Sequence, residues 1–152
     1  MIFELELIDT FGAERVFLNL ISRQPHSFGK IRALVDTGSP NTIISAKDCY
    51  LLNLPITGAE KGEPITGFGK GGIPSKKMRK FSLALKSSDN KIKDLNIPIN
   101  VVDITALKSM PEEYSNHVYS IPTIIGMDFL RLANLKLVVD IPNKKAYLES
   151  AD

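Results

Sequence analysis

The chain has a single cysteine, Cys49, so no intrachain disulfide can form and the fold has to be held by a core. Net charge is also scarce. Nineteen basic residues against seventeen acidic give +2, too small a surplus to argue for nucleic acid or an anionic membrane as partner. The one basic cluster, Lys76-Lys77-Met78-Arg79-Lys80, reads as a solvated strand start. No apolar run approaches the roughly 18 residues of a membrane span, which excludes a transmembrane segment and leaves peripheral attachment open. The N-terminus lacks the charged, apolar and small-residue order of a signal peptide, so the cytoplasm is the expected location. His26 and His117 are far apart in sequence and Cys49 is alone, so no zinc pattern emerges; neither a metal nor a cofactor is expected.

What is present is globular. A chain of 152 residues with 43% hydrophobic and 24% charged residues reads as one domain over 1–152. It is long enough to bury roughly two-thirds of its unfolded surface. There is no repeat of about 20–50 residues of the solenoid kind. Phe3, Leu5 and Leu7 alternate with Glu4 and Glu6, the two-residue period of a half-buried strand. Residues 15–22 return, 23–29 form a loop with Pro and Gly punctuation, and 31–35 make the next strand. Ser45 stands as an N-cap before a short helix to about Leu54, stopped by Pro55. Phe81, Leu83 and Leu85, then Leu95, Ile97, Ile99 and Val101, alternate on either side of a hairpin loop at 87–90. Residues 105–120 break this regularity and read as an irregular excursion, with Pro111 able to open a helical turn at its first position. Phe129, Leu130 and Ala133 mark one face of a second short helix, and 135–148 reads as a closing pair of strands. Many short strands with two short helices make an all-β barrel or sandwich.

One acid stands out. Ala33, Leu34 and Val35 run straight into Asp36-Thr37-Gly38-Ser39 with no turn residue before the acid. A carboxylate is thereby carried to the end of a buried strand, where ionisation is costly and tunable, which makes it a candidate catalyst. Asp-Thr-Gly also reads as a plain strand-to-turn transition. Gly67, Phe68, Gly69, Lys70, Gly71 and Gly72 fit G-x-G-x-x-G in letter, but Ile73-Pro74 and an alternating strand follow where a dinucleotide site needs a helix. So many glycines make either the tip of a hairpin whose bare backbone can approach a ligand, or simply a tight turn. Ser39 lacks a G-x-S-x-G elbow, which argues against a serine hydrolase built with His26 or His117. Cys49 reads as a buried structural thiol. Asp103, Asp128 and Asp140 read as structural, with Asp128 placed to favour a helix dipole.

In their order and spacing these segments resemble the retropepsin-like aspartic proteases, small dimeric relatives of pepsin that include the retroviral proteases. The likeness covers nearly the whole chain. Ala33-Leu34-Val35-Asp36-Thr37-Gly38-Ser39 looks like the active-site signature, and the glycine stretch, within about 63–78, looks like the flap. Thr123-Ile124-Ile125-Gly126-Met127-Asp128-Phe129-Leu130 resembles the segment and helix that support the site. The resemblance implies a closed, retropepsin-like acid-protease barrel with one or two short helices, and Asp36 as catalytic carboxylate. Thr37 would lock the two active-site loops, the Gly38 carbonyl would accept a hydrogen bond from substrate backbone, and Ser39 would hydrogen-bond the outer carboxylate oxygen. Ile124, Ile125 and Gly126 would form the supporting loop. There are departures: Pro40 and Met127 stand where retroviral enzymes often pair an Asp with an Arg, and 105–120 is an insertion absent from the smallest members.

Amide hydrolysis of this kind uses a water held between two carboxylates, one acting as base and one as acid. The chain has one D-T-G triplet; Asp9 before Thr10-Phe11-Gly12 does not repeat it. A homodimer with two-fold symmetry would supply the second Asp36. Two charges ~3 Å apart at an effective dielectric of ~20 repel by roughly 5 kcal/mol, so both cannot ionise near neutrality. The expected substrate is an extended peptide or protein segment covered by the flaps, with apolar pockets assigned to Val35, Ile125 and Phe68. The competing expectation is a non-catalytic dimeric peptide-binding module with the same fold.

Overall fold

The computed structural model describes residues 1–69 and 71–151. Strands β1 (Ile2–Glu4), β2 (Glu6–Thr10), β3 (Ala13–Gln24) and β4 (Ser27–Val35) lead to the candidate acid. β3 and β4 pair antiparallel from Phe17↔Leu34 to Gln24↔Ser27, further than the expected loop at 23–29 allows. The turn is tight because His26 takes the left-handed region, φ 63, and the buried Ser22 hydroxyl donates to the Ser27 carbonyl at 2.7 Å. β5 (Ile43–Ile44) and helix α1 (Ala46–Leu51) follow. The α1 N-cap is Ser45, whose hydroxyl accepts from Asp48 N at 3.1 Å, and the helix stops earlier than expected because Asn53 turns to φ 49.

β6 (Glu60–Lys61), β7 (Ser75–Lys86) and β8 (Ile92–Val102) come next, then helices α2 (Ile104–Leu107) and α3 (Glu112–Ser120). These two helices occupy the stretch expected to be irregular. Asp103 caps α2, accepting from Ala106 N at 3.3 Å, and Pro111 sits at the N-cap of α3, one position earlier than expected. Glu112 and Glu113 in the first turn of α3 suit its dipole. β9 (Thr123–Ile125), α4 (Met127–Leu132), β10 (Leu135–Asp140) and β11 (Lys145–Ser150) complete the chain. With α1 and α4 where they were expected, the described residues hold two short helices beyond the expected pair.

β1, β11 and β10 form a three-stranded sheet. The larger sheet runs β2-β3-β4-β9-β5-β8-β7-β6, and β3 also pairs with β7 through Ile21↔Ala84 and Ser22↔Leu83. The pairings from β3 through β4, β9, β5, β8 and β7 therefore lead back to β3. Inside lie Leu18, Leu20, Ile31, Phe81, Leu83 and Phe129, all 2% exposed or less. Each such side chain contributes about 1.5–3 kcal/mol through burial. A second apolar cluster joins Ala46, Ile65, Ile73, Val102, Leu107 and Val118, and binds α1, α2 and α3 to the glycine segment. Among the described residues, no helix is long and apolar enough to cross a membrane.

Cys49 is fully buried in the main core. Burial, aided by the neighbouring Asp48 carboxylate, pushes its thiol up to about 12. The thiol is expected to stay silent toward Ellman's reagent at pH 8 in the native protein and to react at once in denaturant. Fast titration of native protein would contradict this placement.

Candidate active site

Asp36 follows β4 directly, and its position is set by β9. The two strands run parallel, with Ala33↔Thr123, Leu34↔Ile124 and Val35↔Ile125 in register, and Asp36 N continues the ladder to the Ile125 carbonyl at 2.9 Å. The chain then turns through Thr37-Gly38. Ser39 N donates to the Asp36 carbonyl at 3.1 Å, and Gly38 N donates to the Asp36 side-chain oxygen Oδ1 at 2.9 Å. The carboxylate is half-buried and faces the turn, while Thr37 and Gly38 are exposed. The Ser39 hydroxyl departs from expectation: it donates to the Asn41 carbonyl at 2.8 Å rather than to Asp36. A hydroxyl has one proton to give, and the local turn takes it.

The loop carrying Asp36 is stitched to the start of α4. Met127 N donates to the Ser39 carbonyl at 2.9 Å and Asp128 N to the Pro40 carbonyl at 3.2 Å. Gly126 N donates to Thr42 Oγ1 at 2.9 Å, and Thr42 Oγ1 donates to Asp128 Oδ1 at 2.7 Å. Backbone bonds at Ser39, Pro40, Met127 and Asp128 thus join the two segments. Sequence reasoning gave Asp128 only a dipole role and passed over Thr42. A second pair was also missed: Thr123, 1% exposed, donates to Asp48 Oδ2 at 2.6 Å and accepts from Ser45 N at 2.9 Å. The available signal was a hydroxyl inside a buried apolar run, which must find a partner.

The glycine segment is a hairpin. Ile65 and Ile73 exchange backbone bonds at 2.8 Å each way, and Gly67, Gly69 and Gly71 between them take φ values of 99, 75 and 73. Gly72 closes against Pro64, whose Cβ would lie 2.6 Å from a Cβ at Gly72. Lys70 lies outside the described residues. A strand, β7, follows where the dinucleotide motif needs a helix N-terminus. Phe68 packs against the second apolar cluster, and Ile125 is fully buried in the main core, which removes Ile125 from the expected apolar pockets. His117 Nε2 bonds to the Phe68 carbonyl, so neither it nor the Ser39 hydroxyl serves the other. A cleft of about 500 Å³ opens between the Asp36 loop and the hairpin's first arm. Ser39, Pro40, Ile43, Glu63, Ile65 and Thr66 line it, and Asp36, three residues before Ser39, does not. Among the described residues, no three His, Cys, Asp or Glu side chains group as a metal site.

No protein-family model and no curated protein sequence matches the chain. Solved structures do. A retropepsin-like aspartic protease from Rickettsia conorii superposes with a TM-score of 0.57 at 15% identity, over 99% of this chain and 89% of that one. EIAV protease, complexed with the inhibitor HBY-793, gives 0.53 at 17% identity, over 87% of this chain and 100% of that one. The crystal structure of edgp gives 0.54 at 8% identity, with the chain spanning 46% of that protein. At such identities the likeness speaks for architecture: the chain has the retropepsin-like fold.

Proposed function

We propose that the protein is an aspartic endopeptidase that works as a homodimer, with a water activated between two Asp36 carboxylates. The observation that carries this reading is the placement of Asp36. In a retropepsin-like fold, the one D-T-G triplet stands at the end of β4 beside β9, with its carboxylate oxygen held by Gly38 N at 2.9 Å. In the dimer one carboxylate stays ionised and takes a proton from the water as it attacks the peptide carbonyl. The other, protonated, donates to the developing oxyanion, and a proton then passes to the leaving amine. Thr37, Gly38 and Ser39 shape the turn around the acid, and Ile124, Ile125 and Gly126 back it. The hairpin around 67–72 covers an extended peptide as an added strand.

The test is digestion of a peptide library from acid to neutral pH, comparing wild type with Asp36→Ala, alongside sedimentation. Cleavage that disappears in Asp36→Ala, from a protein that sediments as a dimer, is the expected result. Undiminished cleavage by the variant overturns the assignment. A folded dimer that binds peptides and cleaves none would make the chain a binding module.

A further inference from the structure

Helix α3 lies in the stretch to which neither the fold nor the proposed chemistry gives a task, and it touches the glycine hairpin on both arms. Tyr114 Oη donates to the Gly72 carbonyl at 3.0 Å. His117 Nε2 bonds to the Phe68 carbonyl at 2.9 Å; a carbonyl only accepts, so this nitrogen carries the proton. Tyr114 and His117 are three residues apart and so share one helix face. Their two acceptors bracket the hairpin tip. Val118, 1% exposed on the same helix, belongs to the apolar cluster against which Phe68 packs. We propose that α3 is a clamp that fixes the height of the glycine hairpin above the cleft, with Tyr114 and His117 as its positioning residues.

Both contacts are side chain to backbone, so the hairpin needs no particular side chain to receive them. Among the described residues, the Ile65·Ile73 pair is the backbone tie between the two arms that lies nearest the tip. Beyond that pair the positive-φ glycines resist little bending. Residues 63–66 of the first arm form one wall of the cleft of about 500 Å³, so the height of the hairpin sets the cleft's width. An unclamped hairpin would have to be ordered each time a substrate bound, whereas a clamped one is already partly ordered. The consequence for substrate rests on the proposed peptidase reading; the mechanical claim about the hairpin does not.

The experiment separates the two. Tyr114→Phe and His117→Leu each remove one donor, and His117→Gln restores an N–H that can reach the carbonyl. Amide hydrogen exchange in 65–73 is expected to speed up about tenfold in Tyr114→Phe and in His117→Leu, with the β3 and β4 amides unchanged, and to return near the wild-type rate in His117→Gln. With a cleaved peptide, KM should rise by a similar factor while kcat stays within about twofold. Hairpin exchange that does not change, or that rises only together with β3 and β4, overturns the clamp. Faster hairpin exchange in a protein that cleaves nothing leaves the clamp standing and removes the peptidase reading instead. Equal loss in kcat and in kcat/KM would overturn the claim that the clamp acts by ordering the hairpin before binding.

Discussion

Co-refolding equal amounts of wild-type and Asp36→Asn chains is expected to leave about one quarter of the wild-type peptidase activity, measured per total chain, because random pairing makes only one dimer in about four with two intact acids. The arithmetic separates a shared site from a complete one. If each chain held its own catalytic pair, about one half would remain. Asparagine suits the purpose because it keeps the size of the side chain and an oxygen that can still accept the bond from Gly38 N, which is 2.9 Å long in the native chain. It loses the ability to hold or give a proton, and Asp36→Asn alone should be slower by at least about 10²–10⁴, the worth of a general acid or base. Pairing bias works in a known direction. A mixed dimer escapes the repulsion between two carboxylates, so any preference for mixing lowers the remaining activity below one quarter and further from one half. Titrating the fraction of wild-type chain makes the test sharper, since a shared site gives a parabola and a self-contained site a straight line.

The parts of this site that are legible in sequence are those written in consecutive residues. An apolar strand ending in Asp-Thr-Gly, and a run of glycines between alternating strands, carry their local geometry with them. The end of β4 and the hairpin fall where period and punctuation place them, while β4 begins at Ser27, inside the stretch expected to be a loop. The unread parts join residues far apart. Thr42 meets Asp128 across 86 positions, and Tyr114 meets Gly72 across 42. No periodicity encodes such pairs; the only trace is a hydroxyl or ring in a setting that obliges it to find a partner. The 105–120 stretch was hard for a different reason. Its helix α3 buries Val118 but leaves Tyr114 and His117 only half-buried, so its apolar stripe is too narrow to announce a helix. Ser39 shows a third limit: its partner was inferred from likeness to a family, and the neighbouring Asn41 carbonyl competes at shorter sequence range.

Gly126→Ala is expected to destabilise the fold by about 3 kcal/mol or more, seen as a lower urea midpoint and a melting temperature roughly 10 °C down, and to abolish activity with it. The backbone angles are not the reason. Gly126 is extended, φ −99 and ψ −172, a conformation open to alanine. The reason is space: an added Cβ would lie 2.6 Å from both the Ser39 and the Asn41 carbonyl oxygens. Neither oxygen can yield alone, because Ser39 O accepts from Met127 N and Asn41 O accepts from the Ser39 hydroxyl. Making room means moving the Asp36 loop away from α4, which gives up the Met127 and Gly126 bonds together and leaves the buried Gly126 N–H without a partner. Gly38→Ala should be milder for stability, since its Cβ would meet only the Asp36 side-chain oxygen, at 3.1 Å. Thr42→Val probes the same seam from the other side by removing the hydroxyl that joins Gly126 N to Asp128, at a cost of about 2 kcal/mol. Because Gly126→Ala already opens this seam, the double variant should lose less than the sum of the two singles, by about 1 kcal/mol or more. Strict additivity would mean that the methyl group is accommodated elsewhere, and that the loop bearing Asp36 is held by something other than its contact with the start of α4.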